Sequence, residues 1–325
     1  MSQDVRAEGA AEAAAGRAVH RAQSAEPQDT QVQSTEAQKR RRDRRAAAAF
    51  LAPAMLLVGG LLVVPFLHTI YRSFFHDTGF SRSWAGLDNY IDLLQSPVFL
   101  QSVLNTALWV VGTLSLPVLL GLAIAVATWQ LPGGGLLRFA LILPYALSGA
   151  ATAVIWTFML RSDGAVNDAL ASLGLGFLQQ DWLLEWPLNT VVMILASTWQ
   201  GTGAAVILFL VGLQSVPPST LEAGRLDGAT GWKLFRHITL PQLRPITIVV
   251  VGISIVNSLK TFDIILLLTN GGPGTASETL ALTMYRETFT LARYGSGAAV
   301  AVFLTVIVLA ASWLYLRRQL RTDER

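Results

Sequence analysis

A stripe of polar side chains interrupts a long apolar stretch centred near residue 257. Its members recur at intervals of three and four residues, which places them on one face of a helix. They are Ser254, Asn257, Ser258 and Thr261. Hydroxyl and amide groups both donate and accept hydrogen bonds, so this face suits a hydroxyl-rich ligand. It equally suits hydrogen bonding between packed helices, and the residues alone leave both uses open.

A second polar group lies in an earlier apolar stretch and consists of Trp199, Gln200 and Thr202. Here an indole ring accompanies the hydrogen-bonding side chains, and an aromatic face can stack on the ring of a sugar. The two groups are therefore the candidate residues for a substrate pathway, with hydrogen bonding between packed helices as the other use of the first group.

Catalytic and metal chemistry are not predicted. The sequence contains no cysteine, which excludes thiol nucleophiles and thiolate metal sites. His68, His76 and His237 are isolated from one another, and no two carboxylates are spaced for acid–base catalysis. No Walker A pattern occurs, so the chain is not expected to bind ATP. We therefore expect no enzyme active site, cofactor or metal in this chain.

The composition is that of a membrane protein. Of the 325 residues, 52% are hydrophobic and only 14% are charged, whereas soluble domains carry about 25% charged residues. The net charge is only +3, and the basic residues cluster at the ends of apolar stretches. This distribution fits membrane topology better than nucleic-acid binding, so we expect contact with the lipid bilayer and no nucleic acid.

Six apolar stretches are long enough to cross about 30 Å of hydrocarbon. We therefore predict an all-α integral membrane protein with six transmembrane helices. The predicted spans are residues 46–70, 103–129, 137–160, 189–213, 246–268 and 297–316. Glycine, proline, serine and threonine interrupt several of them, which packed membrane helices tolerate.

The distribution of lysine and arginine, which favours the cytoplasmic side, predicts the orientation. With both termini cytoplasmic, fifteen of these residues lie inside and five outside, without counting Arg6, Arg17 and Arg21 of the distal tail or Lys260 within a span. Residues 1–45 contain almost no large apolar side chain and are predicted to be a disordered cytoplasmic tail that ends in a basic cluster. Residues 46–318 form the six-span domain, and residues 319–325 form a cytoplasmic C-terminal tail.

Lys260 and Asp263 are the charged residues of the fifth predicted span. They lie three residues apart on one helical face near its outer end. We expect them to form an ion pair, with the lysine stem extending to the membrane interface.

The inner connection 214–245, between the fourth and fifth spans, carries the signals of two short helices. Ser219 and Glu222 have the spacing of a capping box, which predicts a helix over residues 220–227. Gly228 follows, at a position where a left-handed C-terminal cap favours glycine.

The second short helix is predicted to begin at Thr230 and to close at Pro241. Within it, Trp232, Phe235 and Ile238 recur every third residue and predict an apolar stripe. Two short helices with this stripe and several basic residues form a knob on the cytoplasmic face. Such a knob lies on the lipid surface or docks on another protein, and the physical pattern favours neither.

The knob closely resembles the coupling motif of binding-protein-dependent ABC importer permeases. That motif reads EAA, then G, then I-x-LP, at fixed intervals. The matching and flanking residues are Glu222, Ala223, Gly224, Asp227, Gly228, Phe235, Ile238, Leu240 and Pro241. Gly224 replaces the usual alanine, a change that weakens a helix by about 1 kcal/mol and leaves the match intact.

Other segments resemble the carbohydrate-uptake permeases of the maltose and glycerol-3-phosphate type. They are residues 87–90, 105–106, 156, 164–167, 262–263 and 269–273. The resemblance covers residues 46–318 and implies the permease subunit of an ATP-driven importer for a sugar or sugar derivative in the bacterial cell membrane. It also implies a heterodimer with a sister permease, two ATPase subunits that hold ATP and magnesium, and an extracytoplasmic solute-binding protein.

By the same resemblance, the knob would seat in a groove of the ATPase. Gly228 would allow its bend, and Glu222 would pair with the ATPase as well as cap the helix, unless it acts as a cap alone. An ion-gradient-driven secondary transporter of a small polar solute is the alternative. Such a transporter is expected to show buried acidic residues or repeated broken helices, and the sequence indicates neither, apart from Asp263.

Overall fold

The computed structural model describes residues 47–129, 131–259 and 261–323. The predicted N-terminal tail and the Lys260 member of the predicted ion pair lie outside these residues. The chain divides into two units after His68. The described part is mostly helical, as predicted.

The elements are named here in chain order. The helices are α1 (Ala47–Arg72), α2 (Asp88–Gln95), α3 (Pro97–Thr128), α4 (Gly134–Ile142), α5 (Gly149–Met159), α6 (Ala165–Ser172), α7 (Leu188–Gln214), α8 (Pro218–Leu226), α9 (Gly231–Gln242), α10 (Arg244–Leu259), α11 (Asp263–Leu268), α12 (Leu280–Tyr285) and α13 (Tyr294–Asp323). The strands are β1 (Phe75–Asp77) and β2 (Arg82–Trp84). Short 3-10 turns cover Leu143–Ala146 and Gly176–Leu178, and π-helical turns cover Gly59–Val63, Phe235–Thr239 and Arg286–Thr290.

Four helices are long and apolar enough to cross a membrane, namely α1, α3, α7 and α13 over Tyr294–Tyr315. Two bent pairs pass the same test only when their members are taken together. They are Gly134–Ala146 with Gly149–Met159, bent by 100°, and Gly231–Gln242 with Arg244–Leu259, bent by 70°. The described residues therefore contain four to six candidate spans.

The predicted third span, 137–160, is broken rather than continuous. α4 ends at the 3-10 turn, and the axis of α5 then points in a different direction. Pro144 has no backbone N–H, and its ring clashes with the carbonyl four residues earlier, so an undistorted α-helix cannot continue. The Ser148 hydroxyl accepts a hydrogen bond from the Ala151 N–H at 3.1 Å and caps α5. The predicted span is therefore not one continuous helix, although its two halves taken together are long and apolar enough to cross a membrane.

The predicted fifth span, 246–268, is also discontinuous. α10 ends at Leu259, and α11 begins separately at Asp263. The Ser258 and Thr261 hydroxyls donate to the carbonyls of the preceding turn at 2.8 and 3.3 Å, and such back-bonding bends helices. The prediction of one continuous helix here was wrong, as was the expectation that broken helices are absent.

The strands β1 and β2 form a small antiparallel hairpin, which the all-α prediction did not include. Phe75 pairs with Trp84, and the Arg72 guanidinium binds the Asp77 carboxylate at 2.7 Å. The Asn89 amide donates to the Phe75 carbonyl at 2.9 Å and ties the hairpin to α2.

Three apolar clusters form the interior from Thr69 onward. Trp109 of α3 and Met193 of α7 lie in the first, together with residues of α5 and α11. Phe209 and Leu243 lie in the second, next to the inner connection. Phe99 lies in the third, against α13. The helices α3 and α7 thus form the framework that positions both candidate sites.

Candidate functional site

The first candidate site is the coupling segment, defined here as residues 218–242. Its first helix begins at Pro218, with Pro217 in the N-cap position and no capping side chain. The predicted capping box between Ser219 and Glu222 was therefore wrong. A proline at the first helical position already has the required φ and no N–H that needs a partner. Glu222 is exposed and has no side-chain partner in the part of the chain that the structure describes.

Gly228 forms the turn between α8 and α9, as predicted. Its φ is +84°, in the left-handed region where a Cβ is unfavourable and glycine is not. Nothing lies within 4 Å of the place that a Cβ would occupy. The backbone conformation, and not a lack of space, therefore requires glycine here.

The second helix, α9, follows the N-cap residue Thr230 but extends past Pro241 to Gln242. The prediction that it closes at Pro241 was wrong. A π-helical turn over Phe235–Thr239 comes directly before Leu240. It shifts the pattern of backbone hydrogen bonds, so that Pro241, which has no N–H, is accommodated in the helix.

The two short helices touch at Gly224, which is buried. A Cβ at this position would overlap Ile238 Cδ1 and lie 3.2 Å from Leu234 Cδ1. The glycine that departs from the usual motif therefore lets α9 approach α8 closely.

The motif residues divide into a packed group and an exposed group. Gly224, Phe235 and Ile238 are buried or half-buried between the helices. The exposed group consists of Glu222, Ala223, Asp227, Gly228, Leu240 and Pro241. Large apolar side chains accompany the exposed group, because Leu226 is 88% exposed and Trp232 is 68% exposed. Trp232 is thus the exposed end of the predicted stripe, and the centroid of its ring lies 5.2 Å from that of Phe235.

An apolar cavity of about 370 Å³ lies under the coupling segment. Leu221, Leu234 and Phe235 line it from the segment, and Trp129 and Leu213 line it from the C-terminal ends of α3 and α7. The coupling segment is therefore packed only partly against the helices that it follows.

The second candidate site is a cavity of about 300 Å³, named here the mid-membrane cavity. It lies between α3, α7, α10 and the 3-10 turn that follows α4. The structure brings together five of the seven predicted pathway residues in its lining, namely Gln200, Ser254, Asn257, Ser258 and Thr261. Additional polar or aromatic lining comes from Thr113, Tyr145 and Ser197, which the sequence analysis missed.

The hydroxyls of the polar stripe bond within their own helix. Ser254 Oγ donates to the Val250 carbonyl at 2.8 Å, and Ser258 and Thr261 bond back in the same way. Asn257 is exposed and has no side-chain partner among the described residues. Hydrogen bonding between packed helices, the alternative use of this stripe, is not seen for these four side chains in the described part of the chain.

Two predicted pathway residues lie away from the mid-membrane cavity. The Trp199 ring packs edge-on against Trp156, with the ring centroids 6.0 Å apart. Thr202 is buried, and its hydroxyl donates to the Thr198 carbonyl at 2.6 Å. Gln200 lines the cavity, but its amide also donates to the Leu147 carbonyl at 2.6 Å and supports the broken span.

The connection that follows α11 is anchored by Asn105 of α3. The Asn105 amide donates to the carbonyls of Ala276 and Glu278 at 2.7 and 2.8 Å. Its own oxygen accepts from the Trp186 indole at 2.9 Å. Glu278 is fully buried and paired with Arg286. These contacts give Asn105 a structural role.

A polar pocket of about 370 Å³ lies beside the hairpin and is lined in part by Asp77, Asp92, Glu287 and Arg293. Burial acts to raise the pKa of Asp77, but the Gly79 N–H and the Arg72 guanidinium hold that pKa below its usual value. Burial raises the pKa of Glu287, which the Arg293 charge offsets only in part. No group of three metal-binding side chains occurs among residues 47–129, 131–259 and 261–323.

Comparison with known proteins places this architecture in a family. Residues 117–322 match the family described as "Binding-protein-dependent transport system inner membrane component". A probable ABC transporter permease of Pyrococcus horikoshii is 35% identical over 85% of this chain and 96% of its own length. The trehalose/maltose transport system permease of Thermococcus litoralis is 31% identical over 85% and 94%. A lactose transport system permease of Rhizobium radiobacter is 30% identical over 80% and 89%.

A solved structure supports the fold. A chain of a bacterial ABC transporter involved in the import of the acidic polysaccharide alginate has a TM-score of 0.75 to this chain at 24% identity. The match covers 87% of this chain and 98% of the other. Together with the coupling segment and the helical architecture, these matches show that the chain is a multi-pass ABC transporter permease and belongs to the family of binding-protein-dependent transport system inner membrane components.

Proposed function

We propose that this chain forms half of the translocation pathway of an ATP-driven importer for a sugar or sugar derivative in the bacterial cell membrane. A sister permease supplies the other half. Two ATPase subunits bind ATP and magnesium, and an extracytoplasmic solute-binding protein delivers the sugar.

The mid-membrane cavity carries the proposal. About half of its described lining residues are polar and none is charged, and the polar ones include the exposed Asn257 amide and the half-buried Ser254 hydroxyl. The Ser254 hydroxyl donates its proton to the Val250 carbonyl, so its oxygen can still accept a hydrogen bond from a ligand. Amide and hydroxyl groups of this kind match the hydroxyls of a carbohydrate. The sugars named for several relatives agree with this chemistry.

The coupling segment supports the proposal that a separate ATPase supplies the energy for transport. Its exposed face combines the apolar side chains of Leu226 and Trp232 with the carboxylate of Glu222. Large apolar side chains surrounded by polar ones are typical of a protein interface. We assign this face to the ATPase, with Glu222 available for an ion pair because it does not cap its helix.

The proposed topology has six spans and both termini in the cytoplasm. The bent pair α4–α5 serves as the third span, and α10 with α11 serves as the fifth. The excess of lysine and arginine on the inner side supports this orientation. The coupling segment then faces the cytoplasm, where ATP is available.

The decisive experiment measures ATP hydrolysis by the complete complex in proteoliposomes with its binding protein. The panel contains trehalose, maltose, lactose and sulfoquinovosyl glycerol, which are named for relatives of this chain. Stimulation by one sugar, accompanied by its accumulation, supports the proposal and identifies the substrate. A correctly assembled complex that no sugar stimulates contradicts the sugar assignment.

An ion-gradient-driven transporter is the competing function. Broken helices do not distinguish an ABC importer from an ion-gradient-driven transporter, because this member of the ABC permease family contains them. Family membership favours the ABC importer. Accumulation of a sugar without any ATPase, abolished by a protonophore, would support the competing function instead.

A further inference from the structure

The apolar cavity under the coupling segment lies where two candidate membrane helices, α3 and α7, end. Its volume of about 370 Å³ is within the range of about 300–1,000 Å³ that is usual for ligand pockets. Its apolar walls offer water few hydrogen-bond partners. Two lining residues, Ala127 and Leu131, are exposed, so a ligand can enter from the protein surface. The cavity therefore suits a hydrocarbon chain.

Arg225 places a positive charge on the same cavity. It lies in the last turn of α8 and is exposed. Its guanidinium has no hydrogen-bond or ion-pair partner in the part of the chain that the structure describes, although Glu222 and Asp227 are close in sequence. A guanidinium binds the oxygens of a phosphate or carboxylate through two parallel hydrogen bonds. Arg225 is therefore available to bind an anionic group at this cavity.

The Thr239 hydroxyl is a second available donor. Thr239 lines the cavity and is only 9% exposed. Membrane threonines commonly donate to the carbonyl four residues earlier, as Thr247 does at 2.9 Å. In the π-helical turn, the corresponding carbonyl of Phe235 accepts from the Leu240 N–H instead, and the Thr239 hydroxyl has no partner among the described residues. A buried hydroxyl without a partner is unfavourable, so this one favours a ligand that accepts a hydrogen bond.

The packing of α8 on α9 brings these two polar residues to neighbouring positions. Gly224 directly precedes Arg225, and Ile238 directly precedes Thr239. Gly224 and Ile238 are in contact across the two helices. An apolar cavity with one cation and one free hydroxyl donor matches an anion that is attached to a hydrocarbon chain.

We propose that this cavity binds one acyl chain of an anionic phospholipid, and that Arg225 and Thr239 donate hydrogen bonds to its phosphate. The ends of α3 and α7 mark the depth at which head groups meet acyl chains, so the bilayer itself supplies the ligand. The bound chain fills the space between the coupling segment and these two helices. It thereby stabilises the segment against the membrane domain.

The test uses the complete complex in vesicles of phosphatidylcholine that contain a minor fraction of phosphatidylglycerol with a photoactivatable acyl chain. Mass spectrometry of the labelled peptides locates the chain. We expect label within residues 126–131 and 213–239, which contain the lining. Photoactivatable phosphatidylcholine with the same chains should label these peptides about fivefold less, because it has no net charge for Arg225 to bind.

Variants separate the charge from the cavity. We expect Arg225→Gln to lose the preference for the anionic lipid and Arg225→Lys to keep most of it. Arg236→Gln is the matched control, since Arg236 is an exposed arginine of the same segment that is not among the described lining residues. Ala127→Phe places a ring in the cavity and should reduce labelling by both lipids. Co-purification with the ATPase establishes assembly, and Thr239→Val, with a smaller loss of preference, replaces Arg225→Gln if that variant does not assemble.

Hydrogen exchange tests the effect on the coupling segment. Amides 218–242 should exchange more slowly when the vesicles contain phosphatidylglycerol than when they contain phosphatidylcholine alone. We expect this difference in the wild type and in Arg236→Gln, and its loss in Arg225→Gln.

Four results would overturn the inference. Equal labelling of the wild type by both lipids would show that the cavity does not select an anion. An equal loss in Arg236→Gln and Arg225→Gln would indicate general attraction to a basic surface. Displacement of the label by a small fraction of oleate would assign the cavity to a free fatty acid. Amide exchange that does not respond to phosphatidylglycerol would show that the lipid does not stabilise the segment. None of these measurements requires a transported sugar, so the inference and the proposed function fail separately.

Discussion

Glycine occupies two positions of the coupling segment for different physical reasons. Gly228 is needed for its left-handed backbone, whereas position 224 needs a small residue because α9 packs closely there. The first requirement concerns φ and the second concerns volume. Substitutions at the two positions should therefore follow different rules, although both lie within one motif.

At Gly228, we expect Gly228→Asn to retain function and Gly228→Val to lose it. Asparagine tolerates the left-handed region, whereas a β-branched residue is strained there by about 1–2 kcal/mol. Co-purification of the ATPase with the permease measures the effect. Equal co-purification of both variants would show that the turn conformation does not control docking.

At Gly224, we expect Gly224→Ala to be tolerated and Gly224→Leu to prevent docking. Alanine raises helix propensity by about 1 kcal/mol, and this gain offsets the roughly 0.5–1.5 kcal/mol cost of turning Ile238 out of its rotamer. A leucine side chain is too large to fit between the two helices even when Ile238 changes its rotamer. ATPase co-purification again provides the measurement, and loss of docking in Gly224→Ala would contradict this account.

At the scale of elements, the connection that follows α11 depends on a side chain more than 170 positions earlier. We expect Asn105→Leu to speed hydrogen exchange of amides 276–280 roughly tenfold or more. The reason is that each buried carbonyl left without a partner costs about 1–3 kcal/mol. Ser115→Ala, on the same helix but away from this connection, serves as the control. Unchanged exchange in Asn105→Leu would show that other contacts hold the connection.

The turn after α12 should respond to pH through Glu287. The folded pKa of this carboxyl is raised above its usual value of 4.5, so the folded state holds the proton more tightly than the unfolded state. Its contribution to stability is therefore fully present below pH 4.5 and is lost as pH rises through the folded pKa. We expect the Tm of the wild type to fall relative to that of Glu287→Gln over this range. A constant Tm difference would contradict the shift.

The sequence predicts the existence of the elements better than their continuity. Hydropathy located α3, α7 and α13, because it reports how long an apolar segment is. Hydropathy could not locate the breaks near Pro144 and Thr261. These breaks depend on which backbone groups form hydrogen bonds with side chains outside the regular helical pattern. Tyr145 was missed for the same reason, since only the break turns it into the cavity. The coupling segment was located because its motif has fixed spacing, whereas its caps depend on local geometry.

At the scale of the whole molecule, the absence of cysteine makes the proposed topology directly testable. We expect a membrane-impermeant maleimide to label Leu173→Cys in intact cells and to label Leu226→Cys only after the membrane is opened. Both positions are exposed in the structure, so accessibility depends on the side of the membrane. Labelling of both variants in intact cells, or of Leu226→Cys alone, would contradict the orientation.

The broken pair α4–α5 also constrains how the chain is made. The backbone carbonyl at Leu147 obtains its partner from Gln200, which lies 53 residues further along the chain. Until α7 has been synthesised, that carbonyl lacks this partner, and lipid cannot supply one. The segment between residues 134 and 159 therefore completes its insertion only with α7 beside it. Biogenesis of this protein is thus expected to proceed by cooperative release of helices from the translocon, and a nascent chain that ends before residue 188 should remain at the insertion machinery.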